Sequence, residues 1–313
     1  GKIALVLDHE PGERAPASPF DGVVTAEAAV PFRKVLAAQE AGARIRCGAR
    51  VSAFTRDRAE IRVGLDTGDI LSGDLMVGAD GMRSSVRRQL FGLDHPRFTG
   101  SVAWRLLAPI SAYPDLPNAA VVWAGAGRHA VTYRVRRGEL INFVGVTEQE
   151  DWREEGWDEK GDTADLAKAF AGWAPPVTSV IGAARSCHRW ALFDREPLAR
   201  WSDGRVTLLG DACHAMPPFQ AQGAAMAIED AVVLARCLKA GEPEAALAQY
   251  EALRKPRTTK VLASARSNMR VFHRSSFLAQ VATYGPMKLA ALVMPGFVNS
   301  RQDWIYGFDA TRG

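Results

Sequence analysis

At 313 residues the chain exceeds what one hydrophobic core usually organises, which points to about two domains. Its composition, 47% hydrophobic and 24% charged, excludes a disordered or fibrous protein. The net charge of +4 comes from scattered basic residues, so it favours small anions such as a carboxylate or a pyrophosphate and gives no reason to expect nucleic acid.

In chain order, Ile3 to Leu7 reads as a strand, followed by a loop containing Pro and Gly through about Gly22. Ala28 to Ala41 reads as a helix with Val30, Val35 and Leu36 inward, and short strands are expected at 44–54, 60–65, 69–71 and 75–77. From Phe98 to Val146 longer alternating runs separated by Gly-containing turns predict an antiparallel sheet. Helix is expected around Thr163 to Trp173, a strand pair from Ser186 to Phe193, a strand at Val206 to Leu209, and mostly helix beyond Gly223. Cys47, Cys187, Cys213 and Cys237 have no CxxC spacing, which argues against zinc or a disulfide framework and for reduced thiols in the cytoplasm. No run approaches the roughly 20 apolar residues of a membrane span.

Two segments carry chemistry. In the first, Leu75-Met76-Val77-Gly78-Ala79-Asp80-Gly81-Met82-Arg83, a buried strand ends in small residues and an acid. Gly78 and Gly81 would let a ligand approach the backbone, and a helix beginning near Arg83 would favour anions; the plainer reading makes Asp80 only a helix cap. In the second, a strand stops at Gly210-Asp211-Ala212-Cys213-His214, and a loop through Pro217, Pro218 and Phe219 feeds an Ala-rich helix that starts near Gly223. Asp211, an acceptor at a strand end, is suited to hold a hydroxyl.

Both segments, in this order, resemble the group A flavoprotein monooxygenases, such as para-hydroxybenzoate hydroxylase and salicylate hydroxylase. The stretches Phe98 to Arg105 and Gly127 to Tyr133 continuing to Asn142-Phe143-Val144-Gly145-Val146, and the closing Asp303-Trp304-Ile305-Tyr306-Gly307-Phe308-Asp309, resemble the salicylate-hydroxylase-like branch. The resemblance implies an α/β (α+β) fold in which a Rossmann-like FAD/NAD(P)-binding domain is interleaved with an antiparallel-sheet substrate domain. The expected boundaries are 1–97 and 186–260 for the flavin domain, 98–185 for the sheet domain and 261–313 for a C-terminal helical region.

It further implies FAD as cofactor, NADH or NADPH and O2 as co-substrates, and hydroxylation of a small aromatic acid of the salicylate or hydroxynicotinate type. Asp80, Gly81, Arg83, Gly210, Asp211, Pro218, Gln222, Gly223 and Ala224 would then bind FAD, with Pro218 beside the reactive flavin position. Trp104, Tyr133 and Phe219 are candidate substrate contacts, although aromatic residues on alternating strands also fill plain cores. His214 and His129 are candidate bases, against the structural readings that His214 bonds within its loop and His129 closes a strand end. No metal is expected, and a homodimer is allowed.

The family's GxGxxG turn occurs nowhere in the 313 residues, and Ala29 stands where the family often places an arginine near the flavin. The expectation is therefore weak FAD retention by these residues alone, with an open groove beside Leu75 to Val77 and Val206 to Leu209. Two alternatives are a monooxygenase of a larger polyketide or isoprenoid substrate and a truncated, flavin-free binding protein.

Overall fold

In a computed structural model the described residues are 3–7, 23–26, 38–57, 60–93, 95–150, 159–293, 300 and 302–312. Most of the helix expected from Ala28 to Ala41, with Ala29, Arg33, Val35 and Leu36, lies outside them. The chain divides into one unit of residues 1–95, 195–265 and 308–313 and another of residues 96–194 and 266–307. The strand Cys187–Asp194, expected with the flavin domain, thus goes with the antiparallel sheet, and the terminal residues 308–313 go with the first unit.

Leu75–Ala79 is buried along nearly its whole length, as befits a continuous apolar run covered on both faces. It pairs in parallel with Val206–Leu208, with Met76 opposite Val206 and Gly78 opposite Leu208. Parallel strands in register finish at the same edge of a sheet, so the turns that follow them, at Asp80 and Gly210, emerge side by side. Ligands of open α/β sheets bind at this edge.

The full order is Ser202–Asp203, Val206–Leu208, Leu75–Ala79, Ile3–Leu7, Val23–Ala26, Arg44–Cys47. Ile3–Leu7 lies antiparallel along Leu75–Ala79. The open groove expected beside this strand is therefore filled by a neighbouring chain segment that satisfies its backbone groups. A three-stranded sheet, 51–56, 61–65 and 70–73, also belongs to this unit.

Two long helices pack in the first unit, the second of them as far as Ala265. Gly223–Ala240 buries Met226, Asp230, Val233, Leu234 and Cys237, one stripe at helical spacing. Ile228 is 62% exposed because it falls two residues off that stripe. The helix Pro243–Phe272 buries Leu247, Tyr250 and Arg254, and the Tyr250 hydroxyl donates to the Leu208 carbonyl at 3.1 Å.

In the second unit an antiparallel sheet runs in the order Glu159–Gly161, Cys187–Asp194, Arg97–Pro109, Leu140–Glu148, Arg128–Val135, Val121–Gly125. One face is covered by the helices Thr163–Ala169 and Pro175–Gly182, which bury Leu166, Phe170 and Val177 against Val102, Trp104, Leu106 and Phe143. Strand alternation puts Arg105, Tyr133 and Asn142 on the opposite face. No helix among the described residues is long and apolar enough to cross a membrane.

Candidate functional site

The first turn is built around Asp80, which is 5% exposed. Its Oδ2 accepts from the Ser85 amide at 2.7 Å, the Ser85 hydroxyl at 3.1 Å and the Val86 amide at 3.2 Å. Asp80 thus satisfies the open end of the helix Ser85–Phe91, whose cap residue is Ser84, with Oγ accepting from the Arg87 amide. The other carboxylate oxygen, Oδ1, is buried with no hydrogen-bond partner among the described residues. Gly81 follows at φ +77°, a conformation glycine adopts freely, with open space where a Cβ would stand. Gly78 serves packing: a Cβ there would lie 2.8 Å from Val86 Cβ and 3.0 Å from Leu208 Cδ2. Arg83 lies exposed just before the helix.

The second turn begins at Gly210, also left-handed at φ +63°. Asp211 opens the short helix Asp211–His214 at an exposed position, yet surrounding protein raises its carboxyl above the usual range, opposed by the His214 charge. Pro218 is exposed and starts a single 3-10 turn, Pro218–Gln220; Phe219 and Gln222 are buried. Ala221 adopts φ +52°, an uncommon conformation for a residue with a Cβ and a local store of strain. Gln222 precedes the first turn of the helix Gly223–Ala240, where Gly223 is half-buried and Ala224 exposed.

A residue with no assigned role in the sequence reading ties the two turns together. Arg87, 3% exposed, donates through Nη1 to the Ala212 carbonyl and through Nη2 to the Met82 carbonyl, both at 2.8 Å. Beneath the second turn lies Asp230, fully buried, whose Oδ2 accepts from the Gly210 amide at 3.1 Å and contacts His214 Nε2 at 2.5 Å. Its Oδ1 accepts from Arg254 Nε at 2.7 Å. Burial raises the Asp230 carboxyl, but the hydrogen bond and charge of His214 and then those of Arg254 bring it below the ordinary value. His214 is 6% exposed, and its Nε2 is taken up by this carboxylate. Cys213, His214 and Asp230 come within 4.8 Å of one another, but the three partners of Asp230 already use its oxygens.

Residues 32–265, three quarters of the chain, match the sequence family described as FAD binding domain. The chain belongs to that family. Within it the chain falls in the salicylate-hydroxylase-like group of the para-hydroxybenzoate hydroxylase superfamily. It is 40% identical over 244 residues to a 3-amino-4-hydroxybenzoate 2-monooxygenase of Streptomyces platensis, covering 75% of this chain and 59% of that one. A 6-hydroxynicotinate 3-monooxygenase of Bordetella bronchiseptica is 34% identical over 267 residues, 83% of this chain and 63% of its own. The chain therefore spans about six tenths of these relatives' length. Among solved structures, a salicylate hydroxylase in complex with its substrate aligns with a TM-score of 0.75 at 28% identity, over 89% of this chain and 72% of that one.

The turns fit the family's cofactor. FAD carries a row of hydroxyls on its ribityl chain and riboses; Asp80 Oδ1 is a buried acceptor with no donor among the described residues, and Asp211 offers a second carboxylate at the neighbouring strand end. The space beside Gly81 admits a ligand against the backbone.

In the second unit the three aromatic and histidine candidates separate. Trp104 lies in the helix-covered core, 6% exposed, with Nε1 donating to Thr147 Oγ1 at 3.1 Å, so it does not share a face with Tyr133. Tyr133 sits half-buried on the opposite face, directly across from Asn142. Asn142 accepts from Arg105 Nε at 3.1 Å, while its own Nδ2 is buried without a partner among the described residues. Arg105 and Asn142 lie in the stretches that carry the resemblance, which gives neither of them a role. His129 is buried, and its Nδ1 lies 2.7 Å from His273 Nε2.

Proposed function

We propose that this protein is an FAD-dependent hydroxylase that uses NAD(P)H and O2 to hydroxylate a small aromatic acid. The observation that carries the reading is the pair of adjacent strand-end turns, one with an orphaned buried carboxylate oxygen at Asp80 and one with the carboxyl of Asp211, locked together by Arg87. The aromatic-acid monooxygenases to which the chain is 34% and 40% identical support the substrate class.

When bound, FAD supplies electron acceptance from NAD(P)H and activation of O2, chemistry that no side chain provides. The protein's part is to hold and orient. Asp211 and Asp80 would accept hydroxyls of the cofactor, Gly81, Gly210, Gly223 and Ala224 would admit it to the backbone, and Arg83 would offer its phosphates a cation. Pro218 and Gln222 bound the loop that faces the ring system, and Phe219 closes it with apolar bulk. Tyr133 is assigned to the substrate side, where Arg105 presents a cation to an aromatic carboxylate. His214 is assigned a positioning role, since its Nε2 is committed to Asp230.

The test is the Asp211→Ala variant of the full-length protein. It should purify folded with markedly less flavin, and an unchanged flavin content would remove the turn from the site. NAD(P)H oxidation by the unaltered protein should be stimulated by hydroxybenzoates, salicylate or hydroxynicotinate. Stimulation by bulky phenolic isoprenoids or polyketides alone would replace the substrate class.

A further inference from the structure

The closing motif Trp304 to Asp309 has no part in the site so far, yet its Phe308 is the outer end of a continuous charge-assisted network that ends at the second turn. Arg257 stacks on the Phe308 ring, its guanidinium carbon 3.9 Å from the ring centroid, and Arg254 lies 5.9 Å from the same centroid. Arg257 grips Glu229 with both Nε and Nη2, at 2.7 and 2.8 Å, and Arg254 Nη1 donates to the same carboxylate at 2.7 Å. Arg254 Nε then reaches Asp230, which receives the Gly210 amide. Two cations face two anions, so the charges balance, and losing Arg254 or Asp230, the buried members, would leave the other uncompensated. The tail is held in place independently of the ring, by Arg236 Nη1 donating to the Ala310 carbonyl at 2.7 Å and by Ala310 packing on the first unit's core.

We propose that Phe308 is a positioning residue for the cofactor turn: its ring orders the Arg257–Arg254 pair, which fixes Asp230 and through it the left-handed Gly210 that presents Asp211. The proposal rests on the reading that this turn holds FAD. Phe308 does not touch the cofactor in this scheme; it acts on the rotamer freedom of two arginines. A guanidinium stacked on an aromatic face gains on the order of 1 kcal/mol, equivalent to about fivefold in an equilibrium constant.

The experiment measures the dissociation constant of FAD by flavin fluorescence on the full-length protein, beside the urea unfolding midpoint of the flavin-free form. Phe308→Leu keeps apolar bulk without the aromatic face and should weaken FAD about fivefold, whereas Phe308→Tyr should restore it. In an Asp230→Asn background Phe308→Leu should add little, because the link is already cut; if Asp230→Asn does not fold, Arg257→Lys serves as that background. Equal FAD affinity in Phe308→Leu and the unaltered protein, or a Leu effect of full size in the cut background, overturns the proposal while Asp211→Ala still weakens FAD. If Asp211→Ala leaves FAD affinity unchanged, the site reading fails and the proposal with it.

Discussion

Lowering the pH should destabilise this protein through His129. The ring is 2% exposed, and burial first, then the nearby His273, hold it down to about 3 from an ordinary 6.5. Glu148 accepts from His273 Nδ1 at 2.9 Å, so His273 Nε2 is left as an acceptor and His129 Nδ1 is the donor at 2.7 Å. A single proton arrangement thus keeps both rings neutral. Because the folded pKa lies below the unfolded one, the unfolded chain takes up the proton first: stability is complete above about pH 6.5 and is lost as pH falls towards 3. Each pH unit in that window costs about 1.4 kcal/mol, or about 2 kcal/mol by pH 5. His273 is lowered too, by burial against the opposing hydrogen bond and charge of Glu148, and adds in the same direction. Urea unfolding of the unaltered protein and of His129→Gln at pH 7 and pH 5 isolates the contribution, since the other titrating groups largely cancel. The unaltered protein should lose about 2 kcal/mol more than the variant over that interval. Equal losses would show that His129 is accessible to protons in the folded state and that the buried donor chain is not maintained.

Two further outcomes follow from the packing of the turns. Gly78→Ala forces a methyl to within 2.8 Å of Val86 on the adjoining helix, where only backbone movement relieves it, and should cost about 1–3 kcal/mol in urea unfolding; a loss under about 0.5 kcal/mol would mean the helix moves freely. Arg87→Lys retains the charge but reaches only one of the two carbonyls, so it should cost about 1–3 kcal/mol for the acceptor left bare and lower flavin content as well. Normal flavin content in a destabilised Arg87→Lys protein would separate the bridge from the site.

The strand ends that form the site were legible because Gly-Asp and Asp-Gly break short apolar runs with residues that strands disfavour and turns favour, and both turns use a left-handed glycine, Gly81 and Gly210. What escaped was what depends on pairing at a distance. The antiparallel seat of Ile3–Leu7 beside Leu75–Ala79 is not encoded in either strand's own alternation. Trp104 could be assigned to a face only once its register against Gly145 and Ala130 was known, since a shift of one residue exchanges the faces.

The missed polar residues did carry a signal, though not a motif. Met226, Asp230, Val233, Leu234 and Cys237 form one helical stripe, and Leu247, Tyr250, Arg254, Val261 and Leu262 form another. Each apolar stripe contains a single charged interruption, an acid in the first and a base in the second. An unpaired charge in such a stripe costs several kcal/mol, so two helices that both tolerate one are constrained to face each other with Asp230 and Arg254 in contact. That inference needs only helical spacing and opposite charge. It would have placed the two helices face to face from the sequence with Asp230 against Arg254, whereas the Gly210 amide that Asp230 also accepts is a contact across 20 residues that neither stripe encodes.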